Sequence, residues 1–365
     1  MYSGGKLDMT MAIGIDVHKK TSTFFAYDGD GEPLNDFNQR FKKVPSNREG
    51  YLEVLAWLGD SDCEFLIENS TKTHDVYWIL QGLGYSRLYV AHSVDLKRIT
   101  KSNKKTDQFD AEKLATYMRV KQQNIDQFRT CYICTPEDMQ IRRLCRIAKQ
   151  ELFEIGRIRR RIRSHLLLTG RDWPGSLSTK WECEILMTKE EDPGLRHLGR
   201  QLNDCRLRCD AAEKAVVEAI ERNERMSAIF ERLKEIPRFG NITAAYLSAT
   251  IVDIGRFDNP KKLAAYLGVV PRMRDSGETE DHSGLTRSGD PAARWLLIQA
   301  TFRLVNSSAP DSHLKAFFAK KNGGSIEELR EADSSSLLKR PALVAAANKL
   351  IHIVFALLTH PDRHW

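Results

Sequence analysis

Four acidic residues in the first third of the chain carry its clearest chemical signal: Asp16 in GIDVHKK, Glu68 in FLIENS, and Asp107 and Asp110 in KTDQFDA. Carboxylates gathered by a fold repel one another unless a cation sits among them, and hard oxygen donors suit Mg²⁺ or Mn²⁺. Two such ions roughly 4 Å apart can stabilise both the attacking and the leaving oxygen of a phosphodiester displacement. The four residues therefore read as a metal ligand set and as candidate catalytic groups. His18 and Lys19, just after Asp16, could touch a phosphate, although exposed basic residues after a strand are common.

The elements that must bring these groups together are legible. In MAIGIDV, Ile13, Ile15 and Val17 alternate to one face of a strand, which leaves Gly14 and Asp16 on the other. Glu68 ends a second strand, EFLIE. Asp107 and Asp110 open a helical stretch, and a spacing of three puts both carboxylates on one side of it. A local reading competes: Asp107 as a helix N-cap and Asp110 as a first-turn acid favoured by the helix dipole. Strands are expected at 12–17, 22–27, 64–68 and 86–90, and helices around 48–58, 74–83 and 108–121. The turn DGDGEP suits an antiparallel connection. Residues 10–130 thus form an α/β domain whose order suggests the ribonuclease H-like architecture. Actin-like sugar kinases begin in a similar way.

With 365 residues the chain can hold two or three cores, and a net charge of +7 with a pI of about 8.9 favours a polyanionic partner. The apolar run ALVAAANKLIHIVFALL is interrupted by Asn348, Lys349 and His352, so no bilayer span and no membrane partner is expected. The N-terminus does not resemble a signal peptide, and a cytoplasmic protein is expected. Seven cysteines, an odd number, argue against a disulfide framework. Cys205 and Cys209 fall in the run Leu202, Cys205, Cys209, Ala212, Val216, Ala219, a heptad seam.

From about 137 the pattern changes to long helices over 137–169 and 195–235, a helical linker over 137–232. Arg142, Arg143, Arg146, Arg157, Arg159, Arg160, Arg161 and Arg163 make the first strongly basic, and with Lys104 and Lys105 they are candidate contacts to a nucleic-acid backbone. The seam of the second suits either an antiparallel hairpin or a dimer-forming coiled coil. At 235 the stretch IPRFGNITAAYLSATI has the pattern of a helix-hairpin-helix, where the amides of Gly240 and Asn241 can hold a phosphate. An ordinary tight connection is the alternative. A mainly helical domain over 233–325 follows. Its polar loop, 271–290, is long enough to be a working loop, and Arg294 after it is a candidate phosphate clamp. A helical tail, 326–365, completes the chain by packing.

Taken in order and spacing, GIDVHKK, IENST, KTDQFDAEKLA, IPRFGNITAA, FDNPKKLAAYLGVVPR, DSG and TRSGDPAARWLL resemble the DEDD transposases of bacterial insertion sequences, a family that includes pilin-gene invertases. The resemblance covers residues 10–125 and 233–310. It implies a RuvC-like N-terminal domain, a coiled-coil linker and a C-terminal transposase domain. It also implies a noncoding bridge RNA that pairs with donor and target DNA. Carried over residue by residue, the tetrad is Asp16, Glu68, Asp107 and Asp110, and the family's C-terminal serine matches Ser276, with Ser283 and Ser288 as competitors in the same loop. The implied reaction has Ser276 attack the scissile phosphate and hold the DNA in a transient phosphoserine link. Exchange between two duplexes needs at least two active sites, so a homodimer assembling to a tetramer is expected. Two positions depart from the family pattern: Lys72 stands where a small residue is usual, and Arg238 replaces the first glycine of the hairpin. A metal-only junction nuclease and an invertase working without RNA are the alternatives. A kinase is disfavoured because glycine-rich phosphate loops are missing at the expected later strands.

Overall fold

The structure, a computed structural model, describes residues 10–85, 87–92, 106–123, 130–270, 274–276, 279–281, 285, 288–306, 308–331 and 340–365. Lys104, Lys105 and Ser283 lie outside them. The chain divides into two compact units, 1–136 and 137–365.

The first unit is built on a sheet of five strands: β1 (Met11–Val17), β2 (Thr21–Tyr27), β3 (Val44–Pro45), β4 (Cys63–Glu68) and β5 (Leu88–Ala91), in the order β3-β2-β1-β4-β5. Strand β2 runs antiparallel to β1 and β3, whereas β4 is parallel to β1 and β5 parallel to β4. The alternation in β1 has the expected consequence. Ile13, Ile15 and Val17 enter one core with Phe24, Phe65 and Ile67. That core is shared with α1 (Asn35–Arg40), α2 (Arg48–Leu58) and α3 (Thr73–Gly82). The opposite face takes α4 (Asp107–Gln122), which buries Leu114, Tyr117 and Met118 against Ala12, Leu66 and Ala91. Glycine at position 14 is what allows this close docking. A Cβ there would lie 2.0 Å from the Ala111 carbonyl oxygen and 2.4 Å from the Ala115 amide nitrogen, both main-chain atoms of α4.

The second unit packs α5 (Pro136–Leu168), α6 (Lys180–Thr188), α7 (Pro193–Glu221), α8 (Glu224–Lys234), α9 (Asn241–Ile251), α10 (Pro260–Leu267), α11 (Pro291–Val305), α12 (His313–Asn322), α13 (Ile326–Glu331) and α14 (Arg340–Thr359) around one continuous core that runs from Ile141 to Leu357. Side-chain pairs fix the direction of α7 against α5. Asp138 accepts from Asn223 at 3.2 Å, Arg208 reaches Glu151 at 3.2 Å, and His165 meets Asp192 at 2.7 Å. Early residues of one helix thus face late residues of the other, so within the chain the two run antiparallel. The heptad seam is buried at Leu202, Cys205, Cys209 and Val216.

The helix expected over 195–235 is broken. Asn223 ends it by accepting from the Met226 amide at 3.1 Å and starting α8. Helix α6 has no counterpart among the expected elements. Its start is a capping box in which Thr179 and Glu182 bond each other's main chain. The loop expected over 271–290 contains a short hairpin, β6 (Arg274–Ser276) with β7 (Thr279–Asp281). Helix α14 corrects the expectation about apolar runs, because over Pro341–Thr359 it is long and apolar enough to cross a membrane by length and composition. It is a core helix here: Ala346, Ala347, Leu350 and Ile351 are fully buried, and Asn348 donates to the Val269 carbonyl at 2.8 Å.

Candidate active site: an acidic cluster on the central strand

Asp16 is the last residue before the end of β1 that faces α4. Pairing of Ile15 with Ile67 carries the register forward so that Asp16 and Glu68 lie side by side on the same face. Helix α4 begins above them. Thr106, not Asp107, is its N-cap and accepts from the Phe109 amide, which leaves Asp107 and Asp110 to stand in the first turn. Because Gly14 lets α4 sit on the strand, that first turn overhangs Asp16.

His18 Nε2 lies 3.2 Å from Asp16 Oδ2 and 3.3 Å from Asp107 Oδ1. The three side chains can each offer one donor atom, all within 4.8 Å of one another. Asp110 is held by Lys113 at 3.2 Å, and that ammonium also stands over the Phe109 ring. The Glu68 carbonyl accepts from the Thr73 hydroxyl at 2.6 Å, which fixes the turn after β4 at the Asn69-Ser70-Thr71-Lys72 segment. Lys72, at the position where a small residue is usual, pairs with Asp75 at 3.0 Å on the surface.

The electrostatics follow from this crowding. Burial pushes the Asp16 carboxyl up to about 6, His18 opposes that, and the charges of Asp110, Asp107 and Glu68 push it further up. A buried carboxylate surrounded by three others and one imidazole is costly when ionised and is relieved by a cation. The donor set, mainly oxygen with one nitrogen, fits a divalent metal. His18 completes the cluster more directly than expected. The sequence signal for it is its place two residues beyond Asp16, on the same side of the extended chain.

The remaining expected residues lie in the second unit. Ser276 is the last residue of β6 and pairs through the main chain with Thr279 across the hairpin turn. The base of its loop is tightly closed. Gly268 and Gly289 both have positive φ, and a Cβ on Gly289 would lie 2.5 Å from the Gly268 Cα. Arg294 braces this neck by donating to the carbonyls of Gly268 at 2.7 Å and Ser288 at 2.6 Å. Two of its five N–H groups are thereby engaged by the protein. Arg142 is turned inward as well, donating to Ala249 and Thr250 carbonyls at the end of α9 and to the Tyr266 hydroxyl. Arg159 donates to the Leu177 carbonyl at 2.7 Å. Arg143, Arg146, Arg157, Arg160, Arg161 and Arg163 are exposed. Asn241 uses its amide to donate to Glu213 at 2.7 Å, whereas Gly240, the N-cap of α9, supplies no side-chain cap. Arg238, in the place of a glycine, adopts the glycine-like φ of 60° and donates to the Arg303 and Ser308 carbonyls at 3.0 and 2.9 Å.

Comparison with known proteins gives two matched segments, the first of which runs past the boundary between the units. A transposase profile, that of the IS110-type DEDD transposases, matches residues 13–170, and the profile described as the transposase IS116/IS110/IS902 family matches residues 230–318. The chain belongs to the DEDD transposases of insertion sequences. All four carboxylates fall within the first matched segment, and Ser276 within the second. Among relatives of this DEDD family, the protein named "Putative transposase y4qE" from Sinorhizobium fredii is 24% identical over 65% of this chain and 57% of its own length. The transposase for insertion sequence element IS1111A from Coxiella burnetii is 31% identical over 37% of this chain and 34% of its own length. The matches thus span between about a third and somewhat over half of these relatives' own lengths.

Proposed function

We propose that the protein cuts and rejoins DNA strands as the transposase of an insertion sequence, with a divalent-metal site at Asp16, Glu68, Asp107 and Asp110 and a serine nucleophile at Ser276. The observation that carries this reading is the convergence of Asp16, His18 and Asp107 where α4 overhangs β1, on a carboxylate that burial makes costly without a cation. The strand order β3-β2-β1-β4-β5, with only β2 antiparallel to β1 among its neighbours, supports a ribonuclease H-like, RuvC-type domain. The antiparallel α5 and α7 support a coiled-coil linker. The α8–α9 connection at Gly240 supports a helix-hairpin-helix.

When bound there, Mg²⁺ or Mn²⁺ supplies charge neutralisation for the phosphate and for the oxygen that leaves it. Asp16 and Asp107 would hold it, with His18 as a nitrogen donor and Glu68 and Asp110 as the further carboxylates of the set. The Ser276 Oγ forms a new bond to phosphorus as it loses its proton, while the bond from phosphorus to the displaced strand oxygen breaks and that oxygen leaves as a hydroxyl carrying a proton. A strand hydroxyl then attacks the phosphoserine and frees Ser276, which conserves the bond through religation. Donor and target DNA are the substrates, a noncoding bridge RNA pairing with both is the guide, and a homodimer assembling to a tetramer in the cytoplasm is the working form.

The test uses DNA carrying the element's ends with Mg²⁺. Ser276→Ala should abolish both cleavage and the covalent protein–DNA adduct while leaving DNA binding intact. Retained cleavage would instead favour a metal-only nuclease, for which the acidic cluster alone suffices. Sequencing of RNA co-purified from cells carrying the native flanking DNA tests the guide, and heterogeneous RNA would count against it.

A further inference from the structure

A cavity of about 450 Å³ lies wholly within the second unit, between α5, α7 and α11. Its wall carries four guanidinium groups, Arg159 and Arg160 from α5, Arg206 from α7 and Arg303 from α11, against the two carboxylates of Asp210 and Glu213. Glu213 is already engaged by Asn241. Trp295, Gln299 and Arg303 recur every fourth residue, so they line one face of α11. Trp295 and Phe153 meet edge to face at 5.9 Å on the same wall.

Two of the arginines are already engaged: Arg159 by the Leu177 carbonyl and Arg206 by the Ser178 carbonyl. The guanidinium groups of Arg160 and Arg303 have no hydrogen bond or ion pair among the described residues. For Arg303 this is costly, since burial strips hydration from its charge and lowers its pKa. A half-buried cation with no carboxylate in ion-pair range among the described residues, on a wall shared with three other guanidinium groups, is the arrangement of a site awaiting an anion. Trp295 and Phe153 add apolar surface of the kind on which a nucleobase rests. A cavity of this size admits one nucleotide and not a duplex.

We propose that this cavity seats a single-stranded nucleic acid, with one backbone phosphate between Arg160 and Arg303 and the adjoining base against Trp295 and Phe153. The proposal rests on the nucleic-acid reading above and adds to it a place where a strand is held, away in sequence from the acidic tetrad.

The experiment measures fluorescence anisotropy of a labelled mixed-sequence single-stranded oligonucleotide with the full-length protein in EDTA, across a series of salt concentrations. Arg160→Gln with Arg303→Gln should weaken binding about tenfold or more and flatten the salt dependence by about 0.7 in log–log slope for each phosphate that is no longer neutralised. Arg160→Gln alone, at an exposed position, should move in the same direction. Arg303→Lys, which keeps the charge, should restore most of the affinity. The control pair Arg200→Gln with Arg222→Gln removes the same charge outside the cavity and should leave the affinity within about twofold. Thermal melts of each variant verify folding. Undiminished affinity and slope in folded Arg160→Gln and in the double variant would overturn the cavity proposal alone. Failure of the wild type to bind any oligonucleotide would overturn the nucleic-acid reading and the cavity with it.

Discussion

Replacing Asp16 by asparagine should make the metal-free protein more stable near neutral pH while removing its response to metal. The side chain is 12% exposed and its carboxyl is pushed up to about 6 from an ordinary 3.8. At about 1.4 kcal/mol per pH unit, that difference corresponds to about 3 kcal/mol. The folded state binds the proton more tightly than the unfolded chain, so the protonated carboxyl contributes stability that is fully present below about 3.8. That contribution is lost as pH rises through about 6. At pH 7.5 in EDTA, Asp16→Asn should therefore gain up to about 3 kcal/mol by chemical denaturation, because the amide carries no charge to desolvate. At pH 3.5 the gain should vanish. Added Mg²⁺ or Mn²⁺ should raise the wild-type midpoint through mass action and leave the variant's unchanged. A variant no more stable than wild type at pH 7.5, or a gain that does not shrink on acidification, would refute the idea that burial and the neighbouring charges load this carboxylate.

Gly14→Ala places a methyl against the α4 main chain and should cost about 1–3 kcal/mol, with weaker metal affinity by calorimetry because the first turn of α4 is pushed away from Asp16. At Arg238 the two effects separate. Arg238→Ala removes both hydrogen bonds to carbonyls and keeps the strained φ, whereas Arg238→Gly removes the same bonds but relieves the strain, so by chemical denaturation the glycine variant should be about 1 kcal/mol more stable than the alanine one. Arg142→Met should destabilise the second unit by about 2 kcal/mol, since the carbonyls of Ala249 and Thr250 are deprived of their charged donor. Its affinity for oligonucleotides should stay unchanged in the same anisotropy assay.

How far the site is legible in the sequence depends on whether the cause is local. The alternation of Ile13, Ile15 and Val17 around Gly14 and Asp16 is a two-residue period, and it places the carboxylate on the face that α4 covers. The three-residue spacing of Asp107 and Asp110 is equally plain, although Thr106 takes the cap that Asp107 is also suited to fill. The α6 start is written locally too, as the capping box of Thr179 and Glu182, but it follows a stretch whose Trp, Pro and Gly signal a loop. The break at Asn223 is readable only in part: asparagine is a favoured N-cap and caps Met226 locally, but its amide also donates to Asp138, 85 positions away. Arginines are the hardest. Arg142 and Arg294 look like their exposed neighbours in sequence, and only the carbonyls that tertiary packing brings to them decide that they point inward. Arg206, Arg303 and Trp295 carry no signal at all, because the cavity they line exists only after three helices pack.

The antiparallel pairing of α5 with α7 also sets a length. Exposed arginines along α5 run from Arg143 to Arg163 on one continuous helix. At 1.5 Å per residue that is about 30 Å of straight positive edge. One strand of duplex advances 3.4 Å per phosphate, so the edge is as long as about nine base-pair steps. The partner helix packs along this interval, and within an unbroken helix the rise per residue sets the spacing between its two ends.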